Sequence, residues 1–307
     1  MIVRPRPHWL HLLFVRRGSL LWRIVPQLAF TVLLALAVVV VHGQLFSWKV
    51  TLTSSPFSLM GVALAIFLGF RINASYDRFW EARKLWGQVL IESRNLAGQA
   101  MAMTGPDVQP RPFVRGLIGF AQVMRNQLRR EWREGPLDHG TDDLLPAALR
   151  ERLRPAMFPA ALVLAWLGGE LRGWRERGQL DAVAASHMTA SLDRLGTALG
   201  GCERIAHTPL PFTYSVILHR TVYLYCMLLP FGLVDAIGAM TPAVVGFVAY
   251  TFFALEALSD EIEQPFGLAP NDLPLDALVA GIEASLTELL GETPAPLPRP
   301  DDQFILT

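Results

Sequence analysis

Cysteine is almost missing from the 307 residues: Cys202 and Cys226 are the only two, so neither a disulfide framework nor a zinc site is implied. Charge is scarce as well. Asp, Glu, Lys and Arg make up 18% of the chain, where an average soluble domain has about 25%. The 27 basic residues balance 27 acidic ones, which excludes the basic surface of a nucleic-acid binder. The common enzyme signatures are missing too: no Gly-x-x-x-x-Gly-Lys phosphate loop, Gly-x-Ser-x-Gly elbow, His-Glu-x-x-His pair or Gly-x-Gly-x-x-Gly turn occurs. What is present is apolar. The hydrophobic set reaches 52%, with 17 Phe and 8 Trp, and mean hydropathy is +0.34. That excludes disorder and leaves too little polar surface to coat a soluble globule. An integral membrane protein is expected.

Four segments fit that expectation. Residues 24–41 form an 18-residue run without charge, close to the ~20 residues that a bilayer helix needs. Residues 57–70 are uncharged over 14 positions, short for a lipid-facing span and better suited to a helix inside a bundle or lining a pore. Residues 212–234, which include His219 and Arg220, and residues 241–258 complete two closely spaced pairs. Lys and Arg number five in residues 1–23 and nineteen in 71–211, against Lys49 alone in 42–56 and none in 235–240. By the positive-inside rule both termini and the middle stretch face the cytoplasm, across an inner membrane. Arg16-Arg17 before an apolar run also fits a twin-arginine export signal. Against that reading, the run is long for a signal core and no small-x-small cleavage site follows.

The expected organisation is all-α. A cytoplasmic N-terminal segment (1–23) leads to membrane helices 1 and 2 (24–70), and a cytoplasmic helical domain (71–211) precedes membrane helices 3 and 4 (212–258). A cytoplasmic helical segment (259–290) and a Pro-rich, extended or disordered tail (291–307) close the chain. Residues 76–103 continue as a helix out of the second span until Gly105-Pro106. Further helices are expected at 112–132, with Phe113, Leu117, Phe120 and Val123 on one side, and at 159–177 and 180–199, joined near Gly178. Residues 135–146 read as a loop whose acidic cluster caps the next helix. No stretch of this region alternates with period two, so no sheet is expected there.

On the second span, Val62, Ile66 and Phe70 recur every four residues and share one face over roughly 12 Å of rise. Beside them Gly61, Ala65 and Gly69 make a small-xxx-small ridge, which lets membrane helices approach closely. A hydrophobic constriction is one way to gate a channel, and ordinary helix packing is the commoner reading of such a stripe. Arg220, near the end of the third span, reads as an ion-path residue or, more commonly, one that snorkels to the interface. His8 and His11 have the spacing of a helical metal pair but no acidic or cysteine partner nearby. Asp260, Glu261 and Glu263 read as a solvated acidic turn rather than a Ca²⁺ loop, because ligands at alternate positions are missing. Neither a metal nor a cofactor is expected.

The stretch FLGFRINASYDRFWEARKLWGQ (67–88) resembles the bestrophin family, specifically its bacterial branch. So do the segment around His8-Trp9, GGCERIAHTPLPFTYSVILHRTVYLYCMLLPF (200–231) and EQPFGLAPNDLPLD (263–276). The resemblance implies a homopentameric ion channel with four membrane helices per subunit, the second of which surrounds the pore. By the family's pattern Val62, Ile66 and Phe70 then form a hydrophobic neck, and Val183 a second narrowing on the cytoplasmic side. Animal members follow their Asn-Pro-Phe-Gly with acidic residues that clasp Ca²⁺. Here Gln264-Pro265-Phe266-Gly267 leads into Leu268-Ala269-Pro270, and the next carboxylate is Asp272, so calcium activation is not expected. The implied partners are small monovalent ions, Cl⁻ or Na⁺, a lipid bilayer and further copies of the chain. A helical membrane scaffold or signalling subunit without conductance is the rival, and a carrier is disfavoured because no inverted repeat with broken helices is evident.

Overall fold

The computed structural model describes residues 1–4, 8, 10, 20–41, 44–45, 48–49, 53–129 and 143–307. Trp9, His11, the Arg16-Arg17 pair and most of the acidic loop at 135–146 lie outside the described residues. The chain divides into two compact units that interleave along the sequence. One comprises Met1–Arg4, Trp80–Thr208 and Pro265–Thr307; the other comprises Pro5–Phe79 and Pro209–Gln264.

The second of these is the apolar unit. It holds α1 (Leu21–Val40), the first half of α2 (Ser54–Met103), and the helices Phe212–Ile237 and Thr241–Glu263. A hairpin of two-residue strands, β1 (Gln44–Leu45) and β2 (Trp48–Lys49), joins α1 to α2, with Gln44 opposite Lys49 and Leu45 opposite Trp48. α2 has 50 residues and runs unbroken through the point where the sequence reading ended its membrane span. Among the described residues three helical stretches are long and apolar enough to cross a membrane: Leu21–Val40, Ser54–Met103 and Phe212–Glu263. The last is divided by a 3-10 turn, Gly238–Met240, where Gly238 takes a φ of +52°. At that angle a side chain is strained and glycine is not. His219 meets Glu256, and Tyr223 meets Phe253, so the two flanking helices run antiparallel. Helices suit a bilayer because they satisfy every backbone polar group internally. The core between these helices contains Ile24, Leu64, Leu68, Val222, Ala249 and Phe253.

The other unit is built from the rest of α2 and from α3 (Arg111–Leu128), α4 (Ala147–Leu153), α5 (Pro159–Glu176) and α6 (Ala182–His207). The two apolar-unit helices are α7 (Phe212–Ile237) and α8 (Thr241–Glu263), and α9 (Leu275–Leu289) returns to the polar unit. The apolar stripe read on α3 is its buried side: Phe113, Leu117, Phe120 and Val123 are all enclosed. Gly116 lets α5 close on α3 here, because a Cβ at that position would stand 2.3 Å from the Trp166 ring. α5 and α6 are joined at Gly178, with φ +69°. The acidic cap is corrected: α4 begins after Pro146 and no side chain caps its N-terminus. The tail beyond α9 is extended and anchored. Ile2 and Ile305 form an antiparallel bridge, Leu306 N donates to Met1 O at 2.8 Å, and Ala277 N donates to Thr307 O at 2.8 Å.

Candidate functional site

α2 presents two unlike faces within the apolar unit. Val62, Ile66 and Phe70 are 61%, 53% and 62% exposed, whereas Leu64 and Leu68, on the same turns, are at most 2% exposed. The period-four stripe is therefore free of the subunit's own core, and the core side of the helix is the one that carries Leu64. The small-residue ridge divides in two. A Cβ on Gly61 would lie 2.8 Å from the Tyr225 hydroxyl of α7, so Gly61 serves the packing of the subunit itself. Among the described residues nothing stands within 4 Å of a Cβ on Gly69, and Ala65 is exposed.

Val183 belongs to the polar unit. It is 69% exposed in the first turn of α6, held by Asp181, whose Oδ1 accepts from Val183 N at 2.7 Å and Ala184 N at 3.1 Å. That bond is a helix N-cap, so Val183 stands on a fixed turn rather than a loose loop.

The acidic group after the fourth segment is not a solvated turn. Asp260 and Glu263 occupy the last turn of α8, where Arg71 Nη2 reaches Asp260 Oδ1 at 2.5 Å and Glu263 Oε2 at 3.7 Å. Charge counting along the chain places Arg71 at the start of a cytoplasmic stretch and misses this pairing. The available signal was the spacing of Leu64, Leu68, Arg71 and Ser75, which keeps Arg71 on the buried face. Arg220 is exposed on α7, and its neighbour His219 has Nδ1 2.7 Å from Glu256 Oε1.

In the 264–276 stretch Asp272 folds back on its own turn, with Oδ2 accepting from Ala269 N at 2.7 Å. Among the described residues no group of three or more His, Cys, Asp or Glu is placed to hold a metal ion. Cys202 is buried in α6, and burial pushes its thiol well above the usual range, which keeps it protonated and inert.

An exposed apolar stripe on a membrane-length helix, beside a continuous buried face, suits lipid, another copy of the chain or a path. Comparison with known proteins identifies the family. The model of the bacterial and fungal bestrophin proteins matches residues 1–288. This chain is a bestrophin. The voltage-dependent anion channel-forming protein of Ralstonia nicotianae is 45% identical over 298 residues, covering 95% of each chain. The Escherichia coli protein of the same description is 41% identical over 310 residues and covers both chains completely. The crystal structure of a bacterial bestrophin homologue from Klebsiella pneumoniae superposes with a TM-score of 0.83 at 40% identity, over 88% of this chain and all of that one. With its apolar helices, this bestrophin is a membrane protein.

Proposed function

We propose that this bestrophin is a homopentameric ion channel that passes small monovalent anions passively. Each subunit contributes four membrane helices, α1, α2, α7 and α8, and the α2 helices stand around the axis. Val62, Ile66 and Phe70 form its neck, and Val183 forms a second narrowing on the cytoplasmic side. The observation that carries this reading is the exposed stripe on α2. Exposed apolar residues such as Leu33 and Phe247 on the other membrane-length helices suit lipid; by the family's pattern the α2 stripe turns inward instead, and five copies make three apolar rings spaced about 6 Å apart. An ion crossing them sheds water and finds no polar ligand, so the barrier is a desolvation cost that falls as the ring widens. The relatives named as anion channel-forming proteins support an anion, chloride first, and Na⁺ is the competing outcome. Charge bias and the pairing of residues 2 and 305 support an even number of crossings with both ends on the cytoplasmic side of the inner membrane.

The test is conductance of the purified protein in a planar bilayer. A reversal potential under a chloride gradient that follows the chloride equilibrium supports anion selectivity, and one that follows the cation supports Na⁺. No flux in liposomes would leave a scaffold or signalling subunit. Ile66→Ala and Phe70→Ala should raise conductance or open probability with the pentamer intact. Leu64→Ala instead removes a core side chain, costing about 2–5 kcal/mol of stability without opening the neck. The neck lies on another face if Leu64→Ala opens the channel and the other two behave as wild type.

A further inference from the structure

We infer that Arg71 is a positioning residue that fixes the rotation of α2, and so decides which face of that helix is turned to the ion path. The inference rests on the reading of Val62, Ile66 and Phe70 as the lining of that path. Arg71 follows Phe70 directly, roughly 100° round the helix, and the two are opposite in environment: Phe70 is 62% exposed and Arg71 4%. Arg71 continues the buried seam of Leu64 and Leu68, and Ser75 extends it by a further turn.

Along that seam the chemistry changes from apolar to ionic. Leu64 and Leu68 pack in the core with Phe252 and Phe253, contacts that have little directional preference and tolerate a rotational slip. Below them, Arg71 Nη2 engages Asp260 and Glu263 of α8, and Ser75 Oγ lies 3.0 Å from Ser259 Oγ. Arg78 Nε donates to the Glu263 carbonyl at 3.1 Å. From α1, Arg23 reaches Asp260 at 3.7 Å. Three guanidinium groups, of Arg23, Arg71 and Arg78, thus converge on the end of α8 that carries Asp260 and Glu263.

The energetics favour a register role over a stabilising one. The Arg71 guanidinium is buried while Asp260 is 40% exposed, and Arg71 Nε has no partner among the described residues; desolvating a guanidinium with an unsatisfied donor offsets much of what its ion pairs contribute. The best-attested use of such a pair is to specify register where apolar packing leaves it open. A slip of one residue would carry Phe70 into the seam and Arg71 out of it.

The rotation is read directly by cysteine accessibility in the full-length pentamer reconstituted in liposomes. Cys202 and Cys226 are both fully buried, so the native background is silent to a charged thiosulfonate. With Arg71 present, the Phe70→Cys thiol should react at least about tenfold faster than the Leu68→Cys thiol, the ratio that roughly 1.4 kcal/mol represents. In the Arg71→Met background this ratio should collapse towards one, and Arg71→Lys, which keeps the charge, should restore much of it. Asp260→Asn combined with Glu263→Gln should give the same collapse, and it serves in place of Arg71→Met if that variant does not assemble. A ratio unchanged by removal of either partner overturns the inference. If modified Phe70→Cys channels conduct as before, the neck reading fails instead, and the accessibility ratio still judges Arg71.

Discussion

Glu92 on α2 and Arg194 on α6 meet at 2.7 Å in the polar unit. Burial alone would raise the Glu92 carboxyl, but hydrogen bonds and charge from Arg194, with help from Asn95 and Ser191, outweigh it and hold the group below its ordinary value. A carboxylate whose pKa is lower folded than unfolded adds stability above the unfolded value of about 4.3, and loses it as pH falls through the folded one. The wild-type protein in detergent should therefore lose melting temperature progressively below that value, and Glu92→Gln should show a flatter acid limb and a lower plateau at neutral pH. Parallel acid limbs would show that the pair adds nothing. Glu92 and Arg194, like Arg71 and Asp260, were not legible as pairs in the sequence. Their partners lie on other helices, and only the fold brings them together. The stripe at Val62, Ile66 and Phe70 was legible because all three residues sit on one helix, where spacing alone sets the face.

Helices as elements were read well where apolar periodicity was bounded by Gly or Pro. α3, α5 and α6 begin within about two residues of their expected starts, inside the usual disagreement over helix ends. α4 was missed because its seven residues are too few to show a period. The β1–β2 hairpin went unseen for the same reason, each strand having two residues. The small-residue ridge was legible as a pattern but not as two different tasks. Gly61 lies under Tyr225 within the subunit, whereas Gly69 has no neighbour there. Gly69→Leu should accordingly leave the subunit folded, with an unchanged helical circular dichroism spectrum, and shift the mass in detergent from pentamer to smaller species. Gly61→Leu should lower the melting temperature as well. An intact pentamer for Gly69→Leu would show that this side of α2 is not a subunit contact.

For the whole molecule, the 264–272 turn bears on calcium response, because the family resemblance places a clasp there in animal members. Leu268 and Ala269 offer no carboxylate, and Asp272 is occupied by Ala269 N. A tight Ca²⁺ site needs 6–8 oxygen ligands. Conductance should change less than about twofold between chelator and millimolar Ca²⁺, because too few ligands remain. Steep, saturable activation would overturn that reading of the turn. The interleaving of the two units has a consequence of another kind, for the order in which the protein is made. The polar unit needs Pro265–Thr307 as well as Trp80–Thr208, and α7 and α8 leave the ribosome before that last stretch does. The apolar helices are thus committed to the bilayer while their companion unit is still incomplete. Joining Ile2 to Ile305 then closes a loop of nearly the whole chain, at a logarithmic entropy cost of about 5 kcal/mol. That cost falls once the helices between have folded and shortened the free loop, so the Ile2–Ile305 bridge is expected to form late.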